Sequence, residues 1–419
     1  LNSRAKCAEI LAAWLATGDF PDRLMNNVAT DRAFVMEVVF GTVKRKRSLE
    51  WLVRQCAAGK PEKAALPFLM IGIYQALFMT DVVDYAWVNE TVEASKKKLS
   101  RAGAGFVNAV LRRVSREKAE LMAELKRQPL AIRESHPDEL IERWKERYSS
   151  GGTMRLCKWN NLRPDVVLCL DPRRTGADDY LKRLKEAGIE ATAHPRSPGM
   201  CITLPHGVKA ADLPGYGEGW FVILDPSMLT PVSLLGVKPG HDVLDACAAP
   251  GGKTALLARA LDGNGRLVAM DLRQDRIGVL RENMARLGET RVEIREGDAA
   301  QARELFGAGS FDRILVDAPC TNTGVLRRRP DARWRFEKQR LFKMQGIQRS
   351  ILDGVVPLLK TGGALVYCVC SMEPEEGAEL LADWEKTHRE YRVERQESLF
   401  PPETQTDGIY CARIVRRAL

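Results

Sequence analysis

Four cysteines close apolar runs, where side chains can meet a ligand. Residues 366–371 read "VYCVCS", with Cys368 and Cys370 two apart; Cys320 ends "LVDAPC", and Cys247 lies in "LDACAAPGG". Thiols in such places are small buried hydrophobes, metal ligands or nucleophiles. Zinc is disfavoured, since there is no C-x-x-C and the ligands would come from three separate segments. Cys320, between "DAP" and "TNTG", and Cys370, before Ser371, sit where a substrate must enter, which suits nucleophiles. The stretch "DACAAPGGKT" ends like a Walker A motif. That motif needs another Gly five residues before Gly252, and Cys247 stands there, so an NTPase is disfavoured; G-x-G-x-x-G is also missing. Gly251 and Gly252 can still bring backbone close to a ligand at the start of a helix. About 20 residues on, Asp271 ends "VAMD", an acid placed to accept ribose hydroxyls; Asp298 ends "EGD" beside an expected adenine, and Asp317 opens "DAPC".

These residues need a scaffold that gathers strand ends. From about residue 226 apolar strands alternate with amphipathic helices, including a long helix at about 336–359, which predicts a mostly parallel, doubly wound sheet. Ligands of such sheets sit at the carboxyl ends of the strands. If the first, fourth and fifth strands are neighbours, all four cysteines share one rim. "YRVERQ" and "IYCARIVRR" have no helix pattern between them and predict an antiparallel hairpin at an edge. Residues 129–225 carry short strands at 165–170 and 200–204 around a helix ending at Gly188, a small α+β module. Residues 1–128 read as helices throughout. "LPFLMIGIYQALFMT" is apolar nearly all round, Val107, Val110, Leu111 and Val114 make one face, and Asn89 is placed to cap a helix from Glu90.

The net charge is +9 and the pI about 9.0, which favours a polyanionic partner. "KRKR" (44–47), "KKK" (96–98) and "LRRVSREK" (111–118) cluster in the helical part and suggest a nucleic-acid footprint. "RRRPDARWR" (327–335) suggests phosphate contacts, with Trp334 packing on a base or anchoring the loop in the core. Ten cysteines without small-domain spacing argue for a reducing, cytoplasmic setting. No long uncharged apolar run occurs, so no membrane span is expected, and the N-terminus is too charged for a signal peptide. The chain opens on Leu, so a trimmed start is expected.

"LDACAAPGGKT", "DAPCTNTGVLRRRPDARW" and "LVYCVCSMEPEE" resemble the signature motifs of the Sun-type RNA cytosine-C5 methyltransferases (the RsmB/NOP family). "DRAFVMEVVFGTVKRKRSLEWLV", "IGIYQALF", "VNETVEASKK" and "FVNAVLRRVSRE" resemble the NusB-like RNA-binding domain of the bacterial members acting on 16S rRNA. The resemblance covers nearly the whole chain. It implies a multidomain α and α/β fold: a NusB-like helical domain (1–128), a small α+β module (129–225) and a Rossmann-like class I methyltransferase domain with a seven-stranded sheet (226–419). It implies S-adenosyl-L-methionine as cofactor, no metal, a monomer, and 16S rRNA, free or in an assembling subunit, as partner. Cys370 would be the nucleophile on cytosine carbon 6, and Cys320 would assist product release. Cys247, Ala248, Ala249, Pro250, Gly251, Gly252 and Lys253, with Asp271, Asp298 and Asp317, would cradle the cofactor, Asp317 also holding the cytosine's polar edge. Cys368 stands where the family has Ser or Ala and would be a bystander. Asn322, Leu224, Cys169, Asp171 and Ile409 depart from the family's usual residues, which bears on RNA contacts more than on the reaction. Two alternatives stay open: the same chemistry on tRNA, and a non-catalytic RNA-binding assembly factor.

Overall fold

The computed structural model describes residues 3–25, 28, 31–79 and 84–417. They form two compact units: Leu1–Leu162 with Leu326–Phe336, and Arg163–Val325 with Glu337–Leu419.

The first unit is all-helical. Helix Leu66–Phe78 is apolar on every face, so it can only be central; Leu69, Met70, Ile71 and Ile73 are fully buried. Helices Ser3–Thr17, Arg32–Lys44, Lys46–Cys56, Asp84–Lys96 and Arg101–Arg116 surround it. A Cβ on Gly41 would lie 1.9 Å from the Tyr74 ring, so only glycine lets helix Arg32–Lys44 approach so closely. Val107, Val110, Leu111 and Val114 form the buried face expected of them, and Ser100 caps that helix by accepting from Gly103 N at 3.1 Å. Asn89 is not a cap. It lies inside helix Asp84–Lys96, which begins five residues upstream of it. Helices continue to Asn161, with a kink at Ser149 (φ +59°).

The basic run at 44–47 faces inward. Lys44 is buried and donates to Leu162 O at 2.7 Å; burial, with Arg333 nearby, holds its pKa down to about 7. Arg47 donates to His136 O at 2.9 Å and to Asp138 at 2.7 Å. Residues 326–336 return to this unit as a strap. Arg333, fully buried, donates to the carbonyls of Lys44, Ser135 and Asn160 and to Asn161 Oδ1 at 3.0–3.2 Å. Trp334 Nε1 donates to Val43 O at 2.7 Å, and Arg327 lies 4.3 Å over the Trp159 ring. The phosphate-binding expectation for "RRRPDARWR" therefore fails at Arg327 and Arg333, and Trp334 is an anchor. Their polarity satisfies buried carbonyls.

The second unit holds two sheets. Strands β1 (Val166–Leu170), β2 (Thr192–Ala193), β3 (Cys201–Leu204) and β4 (Phe221–Ile223) form an antiparallel sheet in the order β2-β3-β1-β4. Strands β5 (Asp242–Asp245), β6 (Arg266–Asp271), β7 (Glu293–Glu296), β8 (Phe311–Asp317), β9 (Leu359–Val369), β10 (Tyr391–Leu399) and β11 (Ile409–Arg416) form a seven-stranded sheet, ordered β10-β11-β9-β8-β5-β6-β7. β5 to β9 are mutually parallel and β10–β11 is the expected antiparallel hairpin at an edge, although a one-turn helix, Pro401–Thr404, interrupts the connection. The long helix is shorter than expected, Lys338–Val355. Pro357 follows, and the chain tightens there before β9. Among the described residues no helix is long and apolar enough to cross a membrane.

Candidate active site

β8 and β9 are adjacent and parallel, with Asp317 opposite Cys368. Cys320 and Cys370 follow by three and two residues, so both leave the sheet at the same rim, and Cys247 follows β5 one strand away. Cys370 and Cys247 are half-buried; Cys320 and Cys368 are buried. Burial, reinforced by Asp317, pushes the Cys370 thiol up to about 12, and Lys253 opposes that shift. Burial, then Glu376 and Cys370, hold Cys320 well above the usual thiol range. Lys253 donates to Asp317 Oδ2 at 2.6 Å. Its own burial works against its charge, yet Asp317 outweighs it and holds the ammonium protonated. The other oxygen of Asp317 accepts from Cys368 Sγ at 3.5 Å. Cys368 thus touches the acid rather than standing clear of it.

A cavity of about 240 Å³ borders this rim, lined by Cys247 through Lys253, Asp317, Asp245 and Leu224 among others. Gly251 has φ +106°, and a Cβ there would meet Leu280 at 2.7 Å, so its glycine is required by the turn and by helix Gln274–Leu287 beneath it. Asp271 lies outside the cavity lining and braces the turn. Its Oδ2 accepts from Ala249 N at 3.1 Å and pairs with Arg276 at 3.2 Å. Its Oδ1 meets only the longer contacts of Arg273 N at 3.3 Å and Arg276 at 3.5 Å. Asp298 also stands apart from that cavity, capping the next turn by accepting from Ala300 N at 2.9 Å; Gly297 N, just before it, donates to Asp271 O at 3.1 Å.

A family model described as 16S rRNA methyltransferase RsmB/F matches residues 232–415, and one described as NusB family matches 1–116. A ferredoxin-like domain model of RsmF/B-like methyltransferases matches 136–210. Ribosomal RNA small subunit methyltransferase B of Pseudomonas putida is 34% identical over 442 residues, covering 100% of this chain and 99% of that one. The chain belongs to this family. It is an S-adenosylmethionine-dependent 16S rRNA methyltransferase. In fold it is similar to the crystal structure of PH0851 (TM-score 0.80, 20% identity, 99% of both chains). It is also similar to NSun6 from Pyrococcus horikoshii, solved with SFG (TM-score 0.61, 18% identity, 68% of this chain and 100% of that one).

The site fits the cofactor of a methyltransferase. Asp245 is fully buried, lines the cavity, and uses Oδ2 to accept from Thr254 Oγ1 at 2.7 Å, while Oδ1 has no partner. An orphaned buried carboxylate oxygen suits a cationic ligand, and burial raises its pKa to about 7. Residues 247–253 line the same cavity. Asp245 was missed in the sequence although, like Asp271, it ends an apolar strand.

Glu376 was missed as well. It is fully buried and gathers four donors: Thr321 N at 2.9 Å and Gln348 Nε2 at 3.1 Å on Oε1, Ser371 Oγ at 2.5 Å and Thr321 Oγ1 on Oε2. The unusual residues are explained by packing. Asn322 has φ +63° and donates from Nδ2 to Cys320 O at 3.0 Å, a left-handed position that Asn tolerates. Asp171 is buried between Arg173 and Arg259, Cys169 sits opposite Cys201, and Ile409 lies in the core. Leu224 packs against Gly252, where a Cβ would be 2.9 Å from it.

Proposed function

We propose that this enzyme methylates carbon 5 of a cytosine in 16S rRNA through a covalent bond from Cys370 to carbon 6. What carries this reading is the pairing of parallel β8 and β9, from which two cysteines emerge beside one lysine–aspartate pair. Carbon 5 of cytosine is a poor nucleophile. Addition of the Cys370 thiolate to carbon 6 makes carbon 5 enamine-like, dividing one hard step into two. S-adenosylmethionine, when bound, supplies the electrophilic methyl. Carbon 5 then loses its proton to solvent, the electrons of that bond re-form the carbon 5–carbon 6 double bond, the carbon–sulfur bond breaks and the Cys370 thiolate is returned, with Cys320 assisting that release. Lys253 favours the attacking thiolate, and Asp317 holds the cytosine's polar edge. A base that is stacked or paired must first be turned out to reach this rim. Residues 1–128 would serve as the RNA anchor, 129–225 as a connecting module and 226–419 as the catalytic part of a monomer.

Replacing Cys370 with Ala is expected to leave cofactor binding by calorimetry unchanged and to abolish methyl transfer; retained activity rejects the covalent reading. Cys320→Ala is expected to accumulate an RNA adduct that survives denaturing electrophoresis, and a clean gel removes Cys320 from the release step.

A further inference from the structure

We propose that Glu376 is the positioning residue that registers the two cysteine loops against each other, an inference that rests on the covalent reading above. Thr321 follows Cys320 and Ser371 follows Cys370, and the Glu376 carboxylate holds both. Its donors favour the charged form and oppose the burial that raises its pKa. Thr323 Oγ1 accepts from Met372 N at 2.8 Å and shares a hydrogen bond with Ser371 Oγ at 3.2 Å. Ser371 Oγ also accepts from Glu373 N at 3.1 Å and passes its proton to Glu376 at 2.5 Å. Two N–H groups and two hydroxyls converge on the carboxylate, which favours its ionised form against that burial. Gln348 anchors the same carboxylate to helix Lys338–Val355 and also donates to Pro319 O at 2.9 Å, in the turn before Cys320. Tyr367 OH donates to Glu376 O at 2.7 Å, tying its backbone to β9. The clamp therefore reaches β9, the helix and both loops while touching neither sulfur.

An anion here has a second effect. Among the causes that keep Cys320 protonated, Glu376 ranks next after burial, whereas at Cys370 burial and Asp317 lead and Lys253 favours the thiolate. Geometry and charge together separate a thiol that attacks from one that stays protonated until late.

The test uses the full-length enzyme with a 16S rRNA fragment, and with the same fragment carrying 5-fluorocytosine, which traps the adduct. Glu376→Gln keeps the reach but reverses one donor; Glu376→Ala removes the clamp; exposed Glu379→Gln is the control. Misplacing reacting groups by about 1 Å costs about 100-fold. The expected result is a fall of about 100-fold in kcat for Glu376→Ala and a smaller fall for Glu376→Gln. KM for RNA and the cofactor Kd stay within about threefold, and adduct formation slows in parallel with kcat. Unchanged kcat in both variants, with wild-type adduct rates, overturns the proposal and leaves the covalent reading standing. So does a loss that appears only in KM, or one that disappears at a temperature where the variants are as folded as wild type by circular dichroism. Failure of the wild-type enzyme itself to form an adduct overturns the covalent reading instead.

Discussion

With its thiol pushed up to about 12, Cys370 is almost wholly protonated at neutral pH. The reactive form is the thiolate, so the attacking group is scarce in the free protein. Lys253 pulls against burial and Asp317 at this sulfur. The sign of its effect is fixed: removing a positive charge raises a thiol pKa. The rate of adduct formation is therefore expected to climb about tenfold per pH unit between pH 6 and 9. In Lys253→Met the climb shifts to higher pH, with the rate at pH 8 falling at least about tenfold. Rapid-quench trapping across that range checks it, and a flat profile in the wild type contradicts the assignment of an unactivated thiol. Cys368 gains meaning at the same scale, since its sulfur donates to the aspartate oxygen that Lys253 does not use.

The loops are held by backbone as much as by side chains. Gly324 N donates to Cys370 O at 3.1 Å, and Gly408 N donates to Gly324 O at 2.8 Å, so three loops meet at one residue. A Cβ on Gly324 would lie 2.1 Å from Gly408 O, a backbone atom with little freedom to retreat. Gly324→Ala is expected to cost about 1–3 kcal/mol of stability and about 100-fold in kcat, with cofactor affinity kept; calorimetry and single-turnover assays separate the two effects. How far such elements can be read from sequence depends on where their partners lie. The rim of cysteines was legible, because alternating strands and helices fix parallel neighbours and strand ends follow from apolar runs. Glu376 was not: "MEPEEGAEL" reads as an acidic helix start, and its burial is decided by Gln348 and Thr321, 28 and 55 residues away. "KRKR" misled for the same reason. Adjacent charges read as a surface patch, while the carbonyls that bury Lys44 and Arg47 lie 118 and 89 residues downstream. Asp271 was read as a ribose acid, and a residue that also braces a turn gives no separate sequence signal.

Across the whole chain the net charge of +9 is distributed unevenly between buried and exposed cations. Lys44 and Arg333 are spent inside the first unit, whereas Lys97, Lys98, Arg101, Arg112 and Arg116 are exposed on it. The RNA footprint we propose for that unit therefore rests on the second set. Replacing Lys97, Lys98 and Arg101 with Ala is expected to weaken rRNA binding and to lower the slope of log affinity against log salt by about 2. kcat at saturating RNA should be unchanged. A salt slope equal to the wild type's moves the footprint elsewhere. The strap at 326–336 has a consequence in time. Arg333 completes hydrogen bonds to residues 44, 135, 160 and 161, and the last of these precedes it by 172 positions. A ribosome adding about 5–20 residues per second needs roughly 10–30 s to cover that stretch. The helical unit thus emerges first and waits unfinished, its inner carbonyls unsealed, until most of the catalytic sheet has been synthesised.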